Sequence, residues 1–138
     1  MRDRGSQKLL SSILKDRKIH LVPDPALACV CKNQKKSLQT RKKDIVVYIL
    51  CAQQVEEDYI YIKSLSKELK KVQKMYSTPL VIMVLNPTKD LKLAKMIAAQ
   101  IENVKIACPK SFEGLFSLLS RAKFVISQRY HGALFSCM

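Results

Sequence analysis

With 138 residues, 48% of them hydrophobic, and a mean hydropathy of −0.05, the chain has the size and balance of a single soluble globular domain. The formal charge is +14, and +9 of it falls in residues 1–43, which carry 12 basic and three acidic side chains. This composition excludes a disordered chain. No apolar run approaches the about 20 residues that cross a bilayer, and the charged start, residues 1–8, is followed by no apolar core of the kind a signal peptide carries.

Taken in order, residues 5–16 place Leu9, Leu10, Ile13 and Leu14 at helical spacing, and 18–22 read as a short strand that stops at Pro23-Asp24-Pro25. Residues 31–43 are polar and strongly basic, an exposed loop. The run 44–51 is Val/Ile-rich and almost unbroken, as suits a strand buried on both faces of a parallel sheet. Glu56, Glu57 and Asp58 put negative charge where a helix begins. That helix extends to about Tyr76, with Ile62, Leu65, Leu69 and Val72 on one face. The pattern then repeats: a strand at 80–85, a turn at Asn86-Pro87-Thr88, a helix marked by Leu91, Ala94, Ile97 and Ile101, and a strand at 104–107. Next come a helix capped by Ser111, a strand around 124–126, and a helix from Tyr130. Strands alternating with amphipathic helices predict an α/β fold: a Rossmann-like parallel sheet with helices on both faces. The whole of 1–138 reads as one such domain. It is abrupt at both ends, closing inside an apolar helix at Met138, which predicts a fragment.

Ligands of open parallel sheets bind at the carboxyl ends of the strands. Four positions meet that condition: Asp24, Gln53-Gln54, Asn86, and the turn from Ser127 to Gly132. The last is the best candidate. Arg129 offers a fixed fork for carboxylate or phosphate, His131 exchanges protons near neutral pH, backbone N–H groups at the helix start favour an anion, and Gly132 leaves room at the backbone. Arg129 and His131 share a side only if the helix starts at Tyr130 or later. The plain alternative is structural: Arg129 pairs a carboxylate and His131 bonds a carbonyl. Asp24 between two prolines is first a turn former, and His20 first a packing residue.

No P-loop, G-x-G-x-x-G, G-x-S-x-G or H-E-x-x-H is present. Three glycines are too few for a glycine-rich phosphate cradle. Five cysteines without C-x-x-C and only two histidines supply no metal-ligand spacing and read as reduced thiols. Neither metal nor cofactor is expected.

The segment 112–134 resembles the polysaccharide pyruvyl transferase family, whose signature is a helix followed by a strand ending in apolar-Ile-Ser/Gly-x-Arg-x-His-Gly/Ala; here Ile126-Ser127-Gln128-Arg129-Tyr130-His131-Gly132. The amino end agrees independently. Arg2-Asp3-Arg4-Gly5-Ser6, then Leu9-Leu10, then Asp24-Pro25-Ala26, looks like the family's Arg-Asp-x-x-Ser helix followed by its Asp-Pro-Ala turn. Lys123 departs from the pattern, standing where the family commonly has an acidic residue. The resemblance implies a fold similar to the carboxyl-terminal, donor-binding domain of a two-domain GT-B transferase, without its amino-terminal domain. It also implies pyruvyl transfer from phosphoenolpyruvate to a sugar of a cell-surface polysaccharide, forming a ketal, in the cytoplasm. The partners are then the donor and a glycan or lipid-linked saccharide acceptor, with peripheral membrane contact compatible and no nucleic acid. His131 is the implied acid–base, and Arg129, Ser127, Gly132 and Arg2 the implied donor-binding residues. Two other readings compete: a GT-B glycosyltransferase using a sugar nucleotide, and a non-catalytic basic binding module built on residues 1–43.

Overall fold

A computed structural model describes residues 4–15, 18, 20, 44–52 and 58–136. The chain divides into two compact units, Met1–Leu38 and Gln39–Met138. In the first, helix α1 spans Arg4–Ile13 and Leu14 N–H adds a bond to Leu10 C=O at 2.8 Å, which continues the stripe of leucines by one residue. Of the expected strand at 18–22 only Lys18 and His20 are described, both exposed and neither in a strand; the Asp24 turn, Arg2 and the basic loop lie outside the described residues.

Among the described residues the second unit contains four strands and four helices. They are β1 (Ile45–Leu50), α2 (Tyr59–Tyr76), β2 (Leu80–Val84), α3 (Pro87–Ala98), β3 (Val104–Ala107), α4 (Phe112–Leu119), β4 (Ala122–Ser127) and α5 (Tyr130–Ser136). All sheet pairings are parallel, in the order β3-β2-β1-β4. This confirms the α/β, Rossmann-like expectation. The chain runs outward from β1 to β3, then crosses back to set β4 on the other side of β1. A point of reversed winding therefore lies between β1 and β4.

Burial explains the two inner strands. Every residue of β1 and β2 is at most 5% exposed, so both faces must be apolar, and Val, Ile and Leu supply that with the stiff side chains that suit a pleat. One face is set by Val46, Tyr48 and Leu50 with Leu80, Ile82 and Val84. Against it pack Ile62 and Leu69 of α2 and Leu93, Ala94, Ile97 and Ile101 from α3 and the turn after it. The alternate residues, including Val47 and Ile49, point to the opposite face, where α5 packs and meets β4 and α4. The outer strands are less covered, and Lys123 and Phe124 of β4 are exposed. The Lys123 ammonium lies 5.7 Å from the Tyr76 ring centroid and Phe124 stacks on the same ring at 5.3 Å, so the residue that departs from the family pattern has a local cation–π partner.

Helix starts follow the expected chemistry. The Asp58 carboxylate accepts from the N–H groups of Ile60 and Tyr61 at 2.9 and 3.2 Å, and the Ser111 hydroxyl accepts from Gly114 N–H at 3.1 Å. Pro87 stands in the first turn of α3, where its lacking N–H costs nothing. At the amino ends of β1 and β4, Arg121 grips Asp44 with two bonds, Nε–Oδ1 3.1 Å and Nη2–Oδ2 2.8 Å. Among the described residues no helix is long and apolar enough to cross a membrane.

Candidate functional site

The strand order brings the carboxyl ends of β1, β2 and β4 together, and a cleft of about 490 Å³ opens there, lined by Cys51, Leu85, Asn86, Gln128, Arg129, Tyr130 and His131. Its place beside the reversal of winding is where doubly wound sheets bind ligands. Two of the four candidate positions, Asn86 and the Ser127–Gly132 turn, meet in this cleft. Asp24 and Gln53-Gln54 lie outside the described residues.

The turn after β4 is tightly specified. Gln128 N–H still donates to Ile49 C=O at 3.0 Å, so the strand pairing runs right up to the turn. The Ser127 hydroxyl then donates to Arg129 C=O (2.8 Å) and accepts from Arg129 N–H (3.2 Å), closing a local loop. Helix α5 starts at Tyr130, as the shared side for Arg129 and His131 requires, and Ala133 N–H reaches Arg129 C=O at 2.9 Å. Gln128 spans the gap to the neighbouring elements: its Oε1 accepts from Cys51 N–H (3.1 Å) and its Nε2 donates to the Tyr61 hydroxyl of α2 (2.7 Å).

Gly132 is buried against the sheet. A Cβ there would stand 2.6 Å from Ser127 Oγ and 2.9 Å from two carbons of Ile49. The absent side chain thus lets α5 sit directly on β1, which is a packing requirement independent of any ligand.

Arg129 is held from behind. Its Nε donates to Leu50 C=O at 3.1 Å and its Nη2 to Asp90 Oδ2 at 2.5 Å. Asp90 has no exposed surface, and its Oδ1 accepts from Ala52 N–H at 2.9 Å. One carboxylate therefore joins the end of β1, the start of α3 and the turn after β4. A buried carboxylate is expensive unless paired and hydrogen-bonded, and here it has both. The Arg129 side chain remains 25% exposed, and its Nη1 has no partner among the described residues. Nη1 and the second Nη2 proton thus make no hydrogen bond among the described residues. The sequence offered two roles for Arg129, pairing a carboxylate or binding an anion, and the geometry accommodates both at once.

His131 stands exposed on the first turn of α5. Its ring stacks on Phe135 with centroids 6.3 Å apart and meets Tyr130 edge-on at 5.4 Å. Phe135 in turn packs against Phe112 and Phe116 of α4, so the imidazole rests on an aromatic base at the edge of the cleft.

Asp90 escaped the sequence reading, as did the bridging role of Gln128 within the named turn. Asp90 carried a usable signal. It continues the series Ala94, Ile97, Ile101 at helical spacing, and an acid within an apolar stripe demands a cationic partner. Gln128, alternating between polar neighbours, carried none. Among the described residues, no cluster of three or more His, Cys, Asp or Glu could hold a metal, and neither Cys51 nor Cys108 is in a disulfide.

Fold and cleft together define a doubly wound α/β domain with an Arg- and His-lined cleft at its switch point. The family model described as polysaccharide pyruvyl transferase matches residues 1–138. The chain belongs to the polysaccharide pyruvyl transferase family. Searches of curated proteins and of solved structures returned no significant match.

Proposed function

We propose that this chain is the donor-binding part of a pyruvyl transferase, similar to the carboxyl-terminal domain of a GT-B enzyme, that takes pyruvyl from phosphoenolpyruvate to two hydroxyls of a polysaccharide sugar in the cytoplasm. One observation carries the reading beyond the family: a single turn at the switch point presents an Arg donor edge and a His to the same cleft.

The chemistry balances with these groups. The enol carbon of the donor gains a proton, and the neighbouring carbon becomes an oxocarbenium-like centre that a sugar hydroxyl attacks. A second hydroxyl then displaces phosphate, giving the ketal and inorganic phosphate. Of the two hydroxyl protons lost, one balances the methyl group formed and the other leaves with phosphate. His131 is the proton carrier for these transfers. Arg129 orients the donor, Ser127 holds the Arg129 backbone, and Gly132 seats the helix that carries His131. Arg2 is a second cation for the donor, proposed on the family resemblance alone.

Thermal unfolding tests the reading. Phosphoenolpyruvate should raise the melting temperature of the wild-type chain and of His131→Ala, but not that of Arg129→Ala, while nucleotide sugars should leave all three unchanged. A shift with nucleotide sugars and none with phosphoenolpyruvate makes the site a sugar-nucleotide site instead.

A further inference from the structure

We propose that Asp90 is the positioning residue of this cleft: it aims the Nη1 edge of Arg129 at the ligand and, by cancelling the guanidinium charge, makes that edge a receptor for a planar carboxylate rather than for a phosphate dianion. The inference rests on the phosphoenolpyruvate reading and decides which end of the donor Arg129 holds.

Three observations carry it. Asp90 is fully buried, and both its oxygens are committed, Oδ1 to Ala52 N–H and Oδ2 to Arg129. Its position is therefore fixed by the ends of two inner strands rather than by a mobile loop. Second, the Leu50 carbonyl takes Arg129 Nε, so the whole Nε–Nη2 edge faces the sheet. The planar guanidinium then has one orientation, with its end-on fork left over; two parallel N–H donors match the two oxygens of a carboxylate. Third, among the described residues no other Arg or Lys lines the cleft. A charge-matched Arg129 offers directed hydrogen bonds but little net field, which suits a monoanion. A phosphate dianion needs unopposed cations.

The test compares two simple anions by titration calorimetry on the full chain: pyruvate, which has the carboxylate alone, and inorganic phosphate. In Asp90→Asn the carboxamide still accepts from Ala52 N–H, but its NH2 opposes Arg129 and frees an uncompensated guanidinium. Pyruvate should bind about tenfold more weakly or worse and phosphate no more weakly than in wild type, so the preference falls by at least about tenfold. A purely structural role weakens both anions in parallel, and an unchanged ratio overturns the proposal. Should Asp90→Asn not fold, Arg129→Lys decides. It keeps the ion pair but has no planar fork, so pyruvate binding should drop about tenfold or more while phosphate binding holds within about threefold. Retained pyruvate binding overturns the proposal. Wild type that does not bind phosphoenolpyruvate overturns the pyruvyl-transfer reading together with this inference. Binding of phosphoenolpyruvate with an unaltered ratio in the variants overturns this inference alone.

Discussion

Gly132 and Gly114 show how differently two helical glycines are constrained. At Gly132 a methyl group collides with Ser127 and Ile49, whereas at Gly114 it would meet Ser111 Oγ at 3.6 Å and Pro109 Cβ at 3.9 Å, ordinary contacts. Gly132→Ala should therefore destabilise by about 1–3 kcal/mol through overpacking, and Gly114→Ala should stabilise by about 0.5–1 kcal/mol through reduced chain entropy. Urea midpoints of the two variants check the opposite signs. Tyr48 gives a second residue-scale test. It is 1% exposed and its hydroxyl has no hydrogen-bond partner among the described residues. Burial, with the nearby Tyr61 hydroxyl adding to it, pushes its pKa far above the ordinary value of about 10. The ionised form is thus favoured only after unfolding. Stability from this group is complete below about pH 10 and is lost as pH rises above it, by up to about 1.4 kcal/mol per pH unit. Tyr48→Phe should flatten that alkaline decline and leave stability at neutral pH equal or higher, measured by denaturant titration from pH 8 to 11.

At the scale of elements, periodicity and capping made most of the architecture legible. The strand at 104–107 has the expected bounds, and the other expected strands and helices in the second unit are found within a few residues of theirs. The reasons are local: β-branched runs buried on both faces, and hydroxyl or carboxylate caps placed before apolar stripes. Asp58→Ala at α2 and Ser111→Ala at α4 should each cost about 1 kcal/mol, seen as a lower urea midpoint with an unchanged slope. The site was legible only in outline. Arg129, His131 and their turn stand out in sequence because their chemistry is unusual for a strand end. The partner that orients Arg129 is 39 residues away in the chain, and no local rule links two residues that meet only because β2 and β4 flank β1. Phe124 illustrates a different gap: it belongs to an apolar run, yet it is half-exposed because β4 is an outer strand. Sheet order, which the sequence pattern leaves open, decided that.

For the whole molecule, the charge takes on a narrower meaning. Within the cleft, Arg129 is matched by Asp90, so that arginine adds little net charge there. On the proposed reading the donor carries about three negative charges, more than a matched Arg129 offsets, and residues 1–43 hold +9 of the chain's charge. Phosphoenolpyruvate binding should accordingly weaken as salt rises from 50 to 500 mM, while pyruvate binding changes little, because exposed charges are screened over about 10 Å at 0.1 M. Equal salt slopes for the two ligands would assign the counter-charge to the cleft itself.

The two arginines that flank β4 have a mechanical consequence. Arg121 fastens the start of that strand to Asp44 through an exposed pair, and Arg129 fastens its end to Leu50 and Asp90 through a largely buried one. Ions in solution loosen the first clasp and hardly reach the second. An outer strand secured in this way peels from its entrance, at Ala122, while its exit stays shut. Fraying at the border of the sheet is thereby directed away from the turn that carries Arg129 and His131, and the cleft keeps its shape beside an outer strand.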